Sequence, residues 1–548
     1  MYLALTSLFF SVFITISLVP LFGKLAYRLH ALDMPDSRKV HTRPMPRFGG
    51  LAMALGMLIT VFIWLPRDSF VKAFLVGSMV ITIFGFIDDM VGLGYKTKFL
   101  GQILAALVIV LGGKVRIVTL GTILPSSLCL ADWFSYLLTL IVIVGVTNAI
   151  NLSDGLDGLA GGICLLTFCC IAYLAYGARM FNIVLLSVAM IGVIFGFLRF
   201  NTYPASIFMG DTGSQLLGFS GITLALKLTQ ESLELSPILP LILFGFPILD
   251  TLSVILQRIS EGRSPFSADK NHLHHKLIRL GFFHTEAVVI IYIFQFLLVI
   301  SAVLFRTSSD WGILLGYLSF CSVALLFFHY TEKVNYRVKR YDLIDNVFKG
   351  KLRVLKERGI LIRVCFKFVE WGTPVLLLAS VLLPSTIPKD FTIISLPFFI
   401  FLVVSLLFKR QWFGASIRLM IYFIMPYLLY LGETSAAQWV SKYWMKTYNL
   451  GFGALAFFVI LTLKFTRRKK GFKISPMDFL ILFIVLAVSG LPDKGFQSYH
   501  LGMLSTKIII LFFTCEVLMG ELRGELNRLG ITTTMMTMVI LLRGFLWG

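Results

Sequence analysis

Carboxylate and amide side chains recur in this chain where long apolar segments meet polar loops. Asp88 and Asp89 end one apolar segment, Asp211 opens another, and Asp154 and Asp157 lie in a glycine-rich segment between two more. Carboxylates at the edge of a membrane segment are costly to remove from water and are usually functional. Such groups can bind a divalent cation together with a phosphorylated substrate. We therefore predict one shared site for a metal and a phosphate.

The Asp88–Asp89 pair is followed by Lys96 and Lys98. Two adjacent carboxylates repel each other, so a cation or a proton is needed nearby. Either lysine could pair with the acids or with a phosphate. A solvated helix end is the alternative, but acids at a helix C-terminus oppose the helix dipole. We favour a functional pair.

Asn148, Asn151, Asp154 and Asp157 recur at every third position of the segment 148–162. On a helix this spacing would stack the four side chains along one side. The glycines of the segment would let a ligand approach the backbone closely. A tight glycine-rich turn with an Asp or Ser cap is the alternative. We favour the helical interpretation and a role in binding.

Asp211 lies at a predicted helix start, where a carboxylate can ligate Mg²⁺ and free backbone amides can hold phosphate oxygens. An ordinary Asp or Thr helix cap is the alternative. A later loop combines basic, acidic and imidazole groups, and it favours phosphate recognition over a zinc site or a merely solvated basic loop. Its residues are Arg263, Asp269, His272, His274 and His275.

Composition determines the fold class. Hydrophobic residues make up 57% of the 548 residues and charged residues only 14%. Apolar runs of about 17 to 22 residues, each long enough to cross a bilayer core, recur along the whole chain. The sequence therefore predicts an all-α, polytopic integral membrane protein. We expect about eleven transmembrane helices in residues 1–330, a basic cytoplasmic linker at 331–370, and about six or seven helices in 371–548.

Lysines and arginines concentrate in alternate loops, which explains the net charge of +21 better than nucleic-acid binding does. The basic loop after the first apolar segment is therefore cytoplasmic, and the amino terminus is outside. Counting onward puts all the acidic clusters on the cytoplasmic face. A transporter or flippase is the alternative, but it would require charges near the bilayer midplane and a repeat between two halves. We see no such repeat in the sequence.

Together these motifs resemble those of the polyprenyl-phosphate N-acetylhexosamine-1-phosphate transferases, and the resemblance covers residues 1–330. The loop 269–275 and the segments 38–41 and 46–47 are most similar to the branch that transfers N-acetylglucosamine 1-phosphate at the start of surface-glycan synthesis. Residues 371–548 depart from the family, either as a glycan-handling module, as part of a polymerase or ligase, or as an oligomerisation and partner-binding element, with simple anchoring and helix pairing as the alternative. The motifs that carry the resemblance are Asp88-Asp89 with Lys96, 148–162, 201–214 and 264–275.

The resemblance implies that a polyprenyl phosphate attacks the sugar-linked phosphorus of a UDP-N-acetylhexosamine and that UMP leaves. It also implies a bacterial inner-membrane enzyme, with a homodimer as a candidate assembly, that uses Mg²⁺ or alternatively Mn²⁺ to neutralise the diphosphate. Asp88, Asp89 and Asp211 would be the catalytic carboxylates, and Asp211, Asp154 and Asp88 the metal ligands. Substrate binding falls to Lys96, Asn148, Asn151, Asp154, Asp157, Asn201, Arg263, His272, His274 and His275.

Overall fold

A computed structural model describes residues 2–35, 43–125, 130–264, 271–334, 336–337, 360–408, 410–465, 476, 479–480, 483, 501–522 and 527–547. Several features of the sequence analysis lie outside these residues: Asp269, the segment 38–41, most of the basic linker and most of a helix expected at 476–491.

The predicted fold class is confirmed, because the described chain is helical and crosses a membrane many times. Thirteen helices among the described residues are long and apolar enough to span a bilayer. Strands β1 (Leu32–Asp33) and β2 (Met45–Pro46) pair antiparallel within the loop that follows the first helix.

The chain divides into two compact units, which we describe separately. The helices of the first unit are α1 (Tyr2–Arg28), α2 (Gly49–Trp64), α3 (Ser69–Val91), α4 (Tyr95–Leu107), α5 (Asp132–Leu152), α6 (Leu159–Gly177), α7 (Phe181–Asn201), α8 (Gly210–Glu231), α9 (Leu239–Leu243), α10 (Gly245–Ser260), α11 (Leu273–Arg279), α12 (His284–Leu304) and α13 (Asp310–Lys333). Those of the second unit are α14 (Ile360–Leu382), α15 (Lys389–Phe408), α16 (Arg410–Thr434), α17 (Lys442–Phe465), α18 (Leu501–Leu522) and α19 (Asn527–Trp547).

Helix α8 lies at the centre of the first unit. It packs against α2, α3, α5 and α6, and it is buried along nearly all of its length. Two glycines make the closest approach possible, because a Cβ on Gly50 of α2 or on Gly85 of α3 would collide with the backbone at the start of α8. The amino-terminal end of α8 is therefore held against the ends of its neighbours, and that is where Asp211 lies.

The segment 148–162 is not one continuous helix, so the predicted stacking of its four polar side chains is wrong. Helix α5 ends at Leu152, and turns connect it to the start of α6. Gly158 has a φ of +80°, in the left-handed region that glycine adopts without steric cost. Asn148 and Asn151 therefore belong to a helix, whereas Asp154 and Asp157 belong to the glycine-rich turn that had been the alternative.

The apolar segment after α8 forms two helices, α9 and α10, because the helix is interrupted at Phe244. Pro247 explains the interruption, because it has no N–H to bond to the Leu243 carbonyl and its ring would clash there. The Leu243 carbonyl instead accepts bonds from Gln295 Nε2 (2.8 Å) and Thr167 Oγ1 (3.0 Å). Side chains from α12 and α6 thus satisfy a backbone group that the break exposes in the membrane interior.

The second unit has its own hydrophobic core, drawn from α14 to α19. Inside it, the Lys507 ammonium on α18 pairs with the Glu433 carboxylate on α16 and lies 4.5 Å from the ring centre of Tyr448. Lys507 is 1% exposed and Glu433 is 9% exposed. This unit therefore contains an ion pair that is almost completely removed from solvent.

Candidate functional site

Helix α3 brings Asp88 and Asp89 to the site on its last turn. The helix ends because Gly92 adopts a left-handed conformation (φ +68°), and the Gly92 N–H then donates to the Asp88 carbonyl at 2.8 Å. The next amide, Leu93 N, donates to Asp88 Oδ1 at 2.6 Å. The Asp88 and Asp89 side chains are buried, at 2% and 5% exposure. The helix end thus holds the Asp88 carboxylate in one orientation.

The Asp89 carboxylate caps the start of α8. Asp89 Oδ1 accepts from Asp211 N (2.8 Å), and Asp89 Oδ2 accepts from Thr212 N (3.0 Å) and Thr212 Oγ1 (2.6 Å). The first amides of a helix have no partners within the helix, so a carboxylate placed there supplies acceptors and also complements the helix dipole. Gly210 (φ +65°) leaves room for this contact, because a Cβ on it would overlap the Asp89 carboxylate. Asp89 therefore positions Asp211 and has little acceptor capacity left for a ligand.

Lys98, on the first turn of α4, lies between two of the acids. Its Nζ is 2.6 Å from Asp88 Oδ2 and 3.4 Å from Asp211 Oδ2. Lys96, which the resemblance favoured, is exposed two residues earlier and is not part of this cluster. The two lysines differ because residues two apart on a helix project in different directions. The basic group that the structure brings to the carboxylates is Lys98.

Asp211 receives a hydrogen bond from α5. Asn151 Nδ2 donates to Asp211 Oδ1 at 2.5 Å and lies 3.1 Å from Ser214 Oγ. One oxygen of Asp211 is thus oriented by a neutral amide, while the other faces the ammonium of Lys98. The predicted grouping of Asn151 with Asp211 in one site is present in the geometry.

Asp154 differs from its neighbours, because its carboxylate has no hydrogen bond or ion pair among the described residues. It lies in the turn between α5 and α6 and forms part of a cavity wall. Burial, together with the charges of Asp211, Asp157 and Asp89, raises the pKa of Asp154 to about 7. A carboxylate in this environment is stabilised in its ionised form by a cation.

Asp157 and Asn201 hold two loops together. Asp157 Oδ2 accepts from Ala205 N (2.9 Å), and Asp157 N donates to His284 Nε2 (3.2 Å). Asn201 Oδ1 accepts from Gly158 N (3.0 Å), and its Nδ2 donates to the Ile207 carbonyl (3.0 Å). Both side chains line the cavity, and the bonds they make fix the shape of its wall.

The three predicted histidines have different environments. His272 Nδ1 lies 2.8 Å from Asp250 Oδ2, and the side chain is buried. His274 is also buried, packs on Gly155, and has no hydrogen-bond partner at Nε2 among the described residues. Burial lowers the pKa of His274 to about 3, so its ring is neutral at physiological pH. Of the three, His275 is the one that lines the cavity.

Several of these groups line a cavity of about 840 Å³, whereas Asp88, Lys98, His272 and His274 lie outside its lining. Arg43 and Arg47 of the first loop border it, and Arg47 is paired with Asp33. The described residues that line the cavity are Asp33, Arg43, Met45, Arg47, Asp89, Asn151, Asp154, Gly155, Leu156, Asp157, Asn201, Tyr203, Pro204, Ala205, Phe208, Gly210, Asp211, Ser214, His275 and His284.

Three further predicted substrate-binding residues do not meet this cavity. Lys96 is exposed. Arg263 is exposed and forms an ion pair with Glu261 (2.5 Å). Asn148 lies one turn before Asn151 on α5 and lines a separate apolar cavity of about 430 Å³. The sequence had grouped Asn148 with Asp154 on the assumption that one helix continues through both. Helix α5 ends at Leu152, so the two side chains do not share a helix face.

Two residues of the site region were missed by the sequence analysis. Asp250 on α10 bonds to His272, and His284 at the start of α12 lies against the ring of Tyr203 with ring centres 4.6 Å apart. Asp250 could have been found, because a lone acid inside an apolar segment is expensive unless it is engaged. His284 had no comparable signal, since it follows a polar loop.

The residues at the cavity fit a divalent cation whose coordination shell would be completed by substrate oxygens. Among the described residues, no group of three or more His, Cys, Asp or Glu side chains is arranged to hold a metal. Mg²⁺ commonly uses one or two carboxylates together with waters and substrate phosphates, so such a cage is not required. Asp211 and the unpaired carboxylate of Asp154 meet this need at the cavity. Asp88 fits less well, because its Oδ2 is paired with Lys98.

Residues 71–229 match the family described as glycosyl transferase family 4. A protein of Bacillus subtilis (strain 168) named "Probable undecaprenyl-phosphate N-acetylglucosaminyl 1-phosphate transferase" is 39% identical over 297 residues, which are 54% of this chain and 82% of the relative. The "Decaprenyl-phosphate N-acetylglucosaminephosphotransferase" of Mycobacterium leprae (strain TN) is 39% identical over 331 residues, covering 54% of this chain and 83% of the relative.

A third relative is the "Undecaprenyl-phosphate alpha-N-acetylglucosaminyl 1-phosphate transferase" of Escherichia coli (strain K12). It is 29% identical over 361 residues, covering 64% of this chain and 95% of the relative. This chain is longer than all three relatives, because the alignments cover 82–95% of each relative but only 54–64% of this chain. The alignments cover most of each relative, and this agrees with the motifs found at the cavity. The chain therefore belongs to glycosyl transferase family 4 and, within it, to the polyprenyl-phosphate N-acetylhexosamine-1-phosphate transferases.

Proposed function

We propose that this chain transfers N-acetylglucosamine 1-phosphate from UDP-N-acetylglucosamine to a polyprenyl phosphate and releases UMP, as a first membrane step of surface-glycan synthesis. The observation that carries the proposal is that Asp154 and Asp211 line one cavity of about 840 Å³, while Lys98 lies 3.4 Å from Asp211 Oδ2 and 2.6 Å from Asp88 Oδ2. The names of the relatives support the acceptor lipid and the amino sugar.

The reaction joins two anions, so charge neutralisation is its main requirement. An oxygen of the lipid phosphate forms a bond to the sugar-linked phosphorus, the bond from that phosphorus to the bridging oxygen breaks, and UMP carries that oxygen away. A prenyl phosphate is already ionised near pH 7, so a strong general base is unnecessary. Asp211 and Asp154 would hold Mg²⁺, which when bound would neutralise the charge of the diphosphate.

The protein side chains supply the remaining requirements. Lys98 offers a positive charge between Asp88 and Asp211, where it can also attract a phosphate oxygen. Asn151 keeps one Asp211 oxygen oriented, and Asp89 holds the helix that carries Asp211. His275 lines the same cavity and is suited to hold a phosphate or sugar oxygen.

The lipid substrate needs an apolar path as well as a polar site. The second cavity, of about 430 Å³, is lined almost entirely by apolar side chains of the first unit, including Phe99, Val146 and Leu252. A surface of this kind is suited to isoprene units. It supports an arrangement in which the phosphate meets the carboxylates while the prenyl chain stays among apolar groups.

We propose that the site opens to the cytoplasm of a bacterial cell and that the amino terminus is outside. The support is the concentration of lysines and arginines in alternate loops, which predicts that those loops are cytoplasmic. We also propose that residues 1–330 carry the reaction, because every described residue of the cavity comes from this part of the chain.

The test uses membranes that contain the full chain, polyprenyl phosphate, Mg²⁺ and a panel of labelled UDP-amino sugars. Label should move into the lipid extract from UDP-N-acetylglucosamine, UMP should be released in equal amount, and EDTA should stop both. The matched variant is Asp211→Asn, which keeps the size of the side chain and should abolish transfer while the protein stays folded. Normal transfer by folded Asp211→Asn would remove the metal role of Asp211, and no transfer from any donor by the wild-type chain would refute the proposed function.

A further inference from the structure

A buried carboxylate outside the cavity, that of Asp250, holds the start of α11, the helix that carries His274 and His275. Asp250 is the one acidic residue of α10 and is 1% exposed. Its Oδ2 meets His272 Nδ1 at 2.8 Å, and its Oδ1 accepts from Leu273 N at 2.6 Å. Burying a carboxylate is costly unless its oxygens are engaged. Here two consecutive residues of one segment engage both oxygens.

The segment that Asp250 holds leads directly to the cavity. The rings of His272 and His274 are nearly parallel, with centres 5.7 Å apart, and the ring of His275 lies 4.2 Å from that of His274. His274 packs on Gly155, leaving no space for a Cβ at that glycine. His275 then forms part of the cavity wall beside the 154–157 turn. The place of His275 on the wall is therefore set by where α11 begins.

The other end of α11 is held more weakly. Lys276 and Arg279 each lie 3.4 Å from Glu332 Oε1, and Glu332 is 46% exposed. Exposed ion pairs of this kind contribute little, because water screens them. Asp250 is consequently the strong anchor of this helix.

We propose that Asp250 is a positioning residue for sugar-phosphate transfer: through His272 and the Leu273 amide it fixes the start of α11, and so places His274 against the 154–157 turn and His275 at the wall where the nucleotide-sugar binds. The inference rests on the proposed function. Asp250 itself lies outside the cavity and acts through the residues that it holds.

The experiment measures transfer by the full chain in membranes, with kcat and separate KM values for the nucleotide-sugar and for the polyprenyl phosphate. Asp250→Ala removes both bonds and should raise the KM for the nucleotide-sugar about tenfold, as for other partners that orient a histidine. The KM for the lipid should stay within twofold of wild type. Asp250→Asn keeps an acceptor for Leu273 N and can bond to the other tautomer of His272, so it should restore most of the wild-type KM. Glu332→Gln, the matched control at the other end of α11, should change neither KM.

A role in general stability would give a different result. Loss of folded protein lowers the apparent kcat without changing either KM, and that outcome in Asp250→Ala would overturn the proposal. So would an Asp250→Asn variant as poor as Asp250→Ala. If Asp250→Ala does not accumulate, His272→Ala breaks the same link from the other side and should give the same selective rise in KM.

A combined variant tests whether Asp250 acts through the helix. In the His275→Ala background, adding Asp250→Ala should raise the nucleotide-sugar KM by less than twofold; full additivity would contradict the proposal. Hydrogen exchange of residues 272–279 separates this inference from the proposed function, since Asp250→Ala should accelerate it whether or not the wild-type chain transfers any sugar. Unchanged exchange would refute the anchoring of α11, whereas an inactive wild-type chain would refute only the proposed function.

Discussion

Asp89→Asn should loosen the start of α8 and leave the rest of the first unit intact. The Asp89 carboxylate accepts three hydrogen bonds, from Asp211 N, Thr212 N and Thr212 Oγ1. An asparagine of the same size has one acceptor oxygen and one NH₂ group. Its oxygen can keep the bond to Asp211 N, and its NH₂ can donate to the Thr212 hydroxyl. The Thr212 amide would then face a donor and lose its partner.

The size of the effect follows from these bonds. A buried donor without a partner costs about 1–3 kcal/mol. The lost interaction with the helix dipole is offset, because the substitution also removes a buried charge beside Asp211. The free energy of opening at the start of α8 should therefore fall by roughly 1–3 kcal/mol, which corresponds to amide exchange faster by about fivefold to 150-fold.

Hydrogen exchange of a peptide that covers residues 209–214 measures this opening directly. Asp88→Asn is the matched control, because it removes a neighbouring charge and weakens the Lys98 pair but leaves the acceptors of the Asp211 and Thr212 amides in place. Exchange of residues 209–214 should therefore rise in Asp89→Asn and stay near wild type in Asp88→Asn. Equal exchange in the wild-type chain and Asp89→Asn would show that the three bonds do not hold α8, and the positioning role of Asp89 would be wrong.

Two further variants test other buried groups. Because burial lowers the pKa of His274 from 6.5 to about 3, the unfolded chain takes up this proton first as the pH falls below 6.5, and the contribution of His274 to wild-type stability should drop by about 2 kcal/mol between pH 8 and pH 5. Thermal unfolding of the wild-type chain and of His274→Gln at both pH values should therefore differ in pH dependence by this amount. An identical pH dependence would contradict the lowered pKa of His274. Lys507→Met leaves the buried Glu433 without its partner and should destabilise the second unit by about 3–5 kcal/mol, with most of the loss recovered by adding Glu433→Gln. Thermal unfolding would measure both, sugar transfer per folded molecule should not change, and an unaltered unfolding temperature in Lys507→Met would refute the ion pair's importance.

Much of the site could be predicted from the sequence because the chemistry lies at helix ends. Asp88 and Asp89 end one apolar segment, and Asp211 begins another. The alternation of basic loops placed these ends on the same side of the membrane before any contact was known. Charge distribution and segment length were sufficient for that conclusion, since both depend on local composition.

What could not be predicted depends on details of the backbone. Lys98 rather than Lys96 reaches the carboxylates, and that choice is set by where α4 begins after the left-handed Gly92. The break between α5 and α6 separates Asn148 from Asp154, although their spacing suits a helix. In each case, a residue or two of backbone outside the helical region changes which side chains meet, and periodicity cannot detect this.

The partners of the buried acids also separate their roles, which residue type alone does not. Asp89 receives three donors from the start of α8, and Asp250 holds the start of α11 with both oxygens. Both are anchors, because their acceptor capacity is used by backbone amides and side chains of a neighbouring segment. Asp154 faces the cavity with no hydrogen bond or ion pair within the described chain, so its carboxylate is free to bind a cation or be protonated. Acids that hold helix starts and an acid that faces the cavity are thus complementary parts of one candidate site, since each anchor brings a lining residue, Asp211 or His275, to the cavity that Asp154 lines.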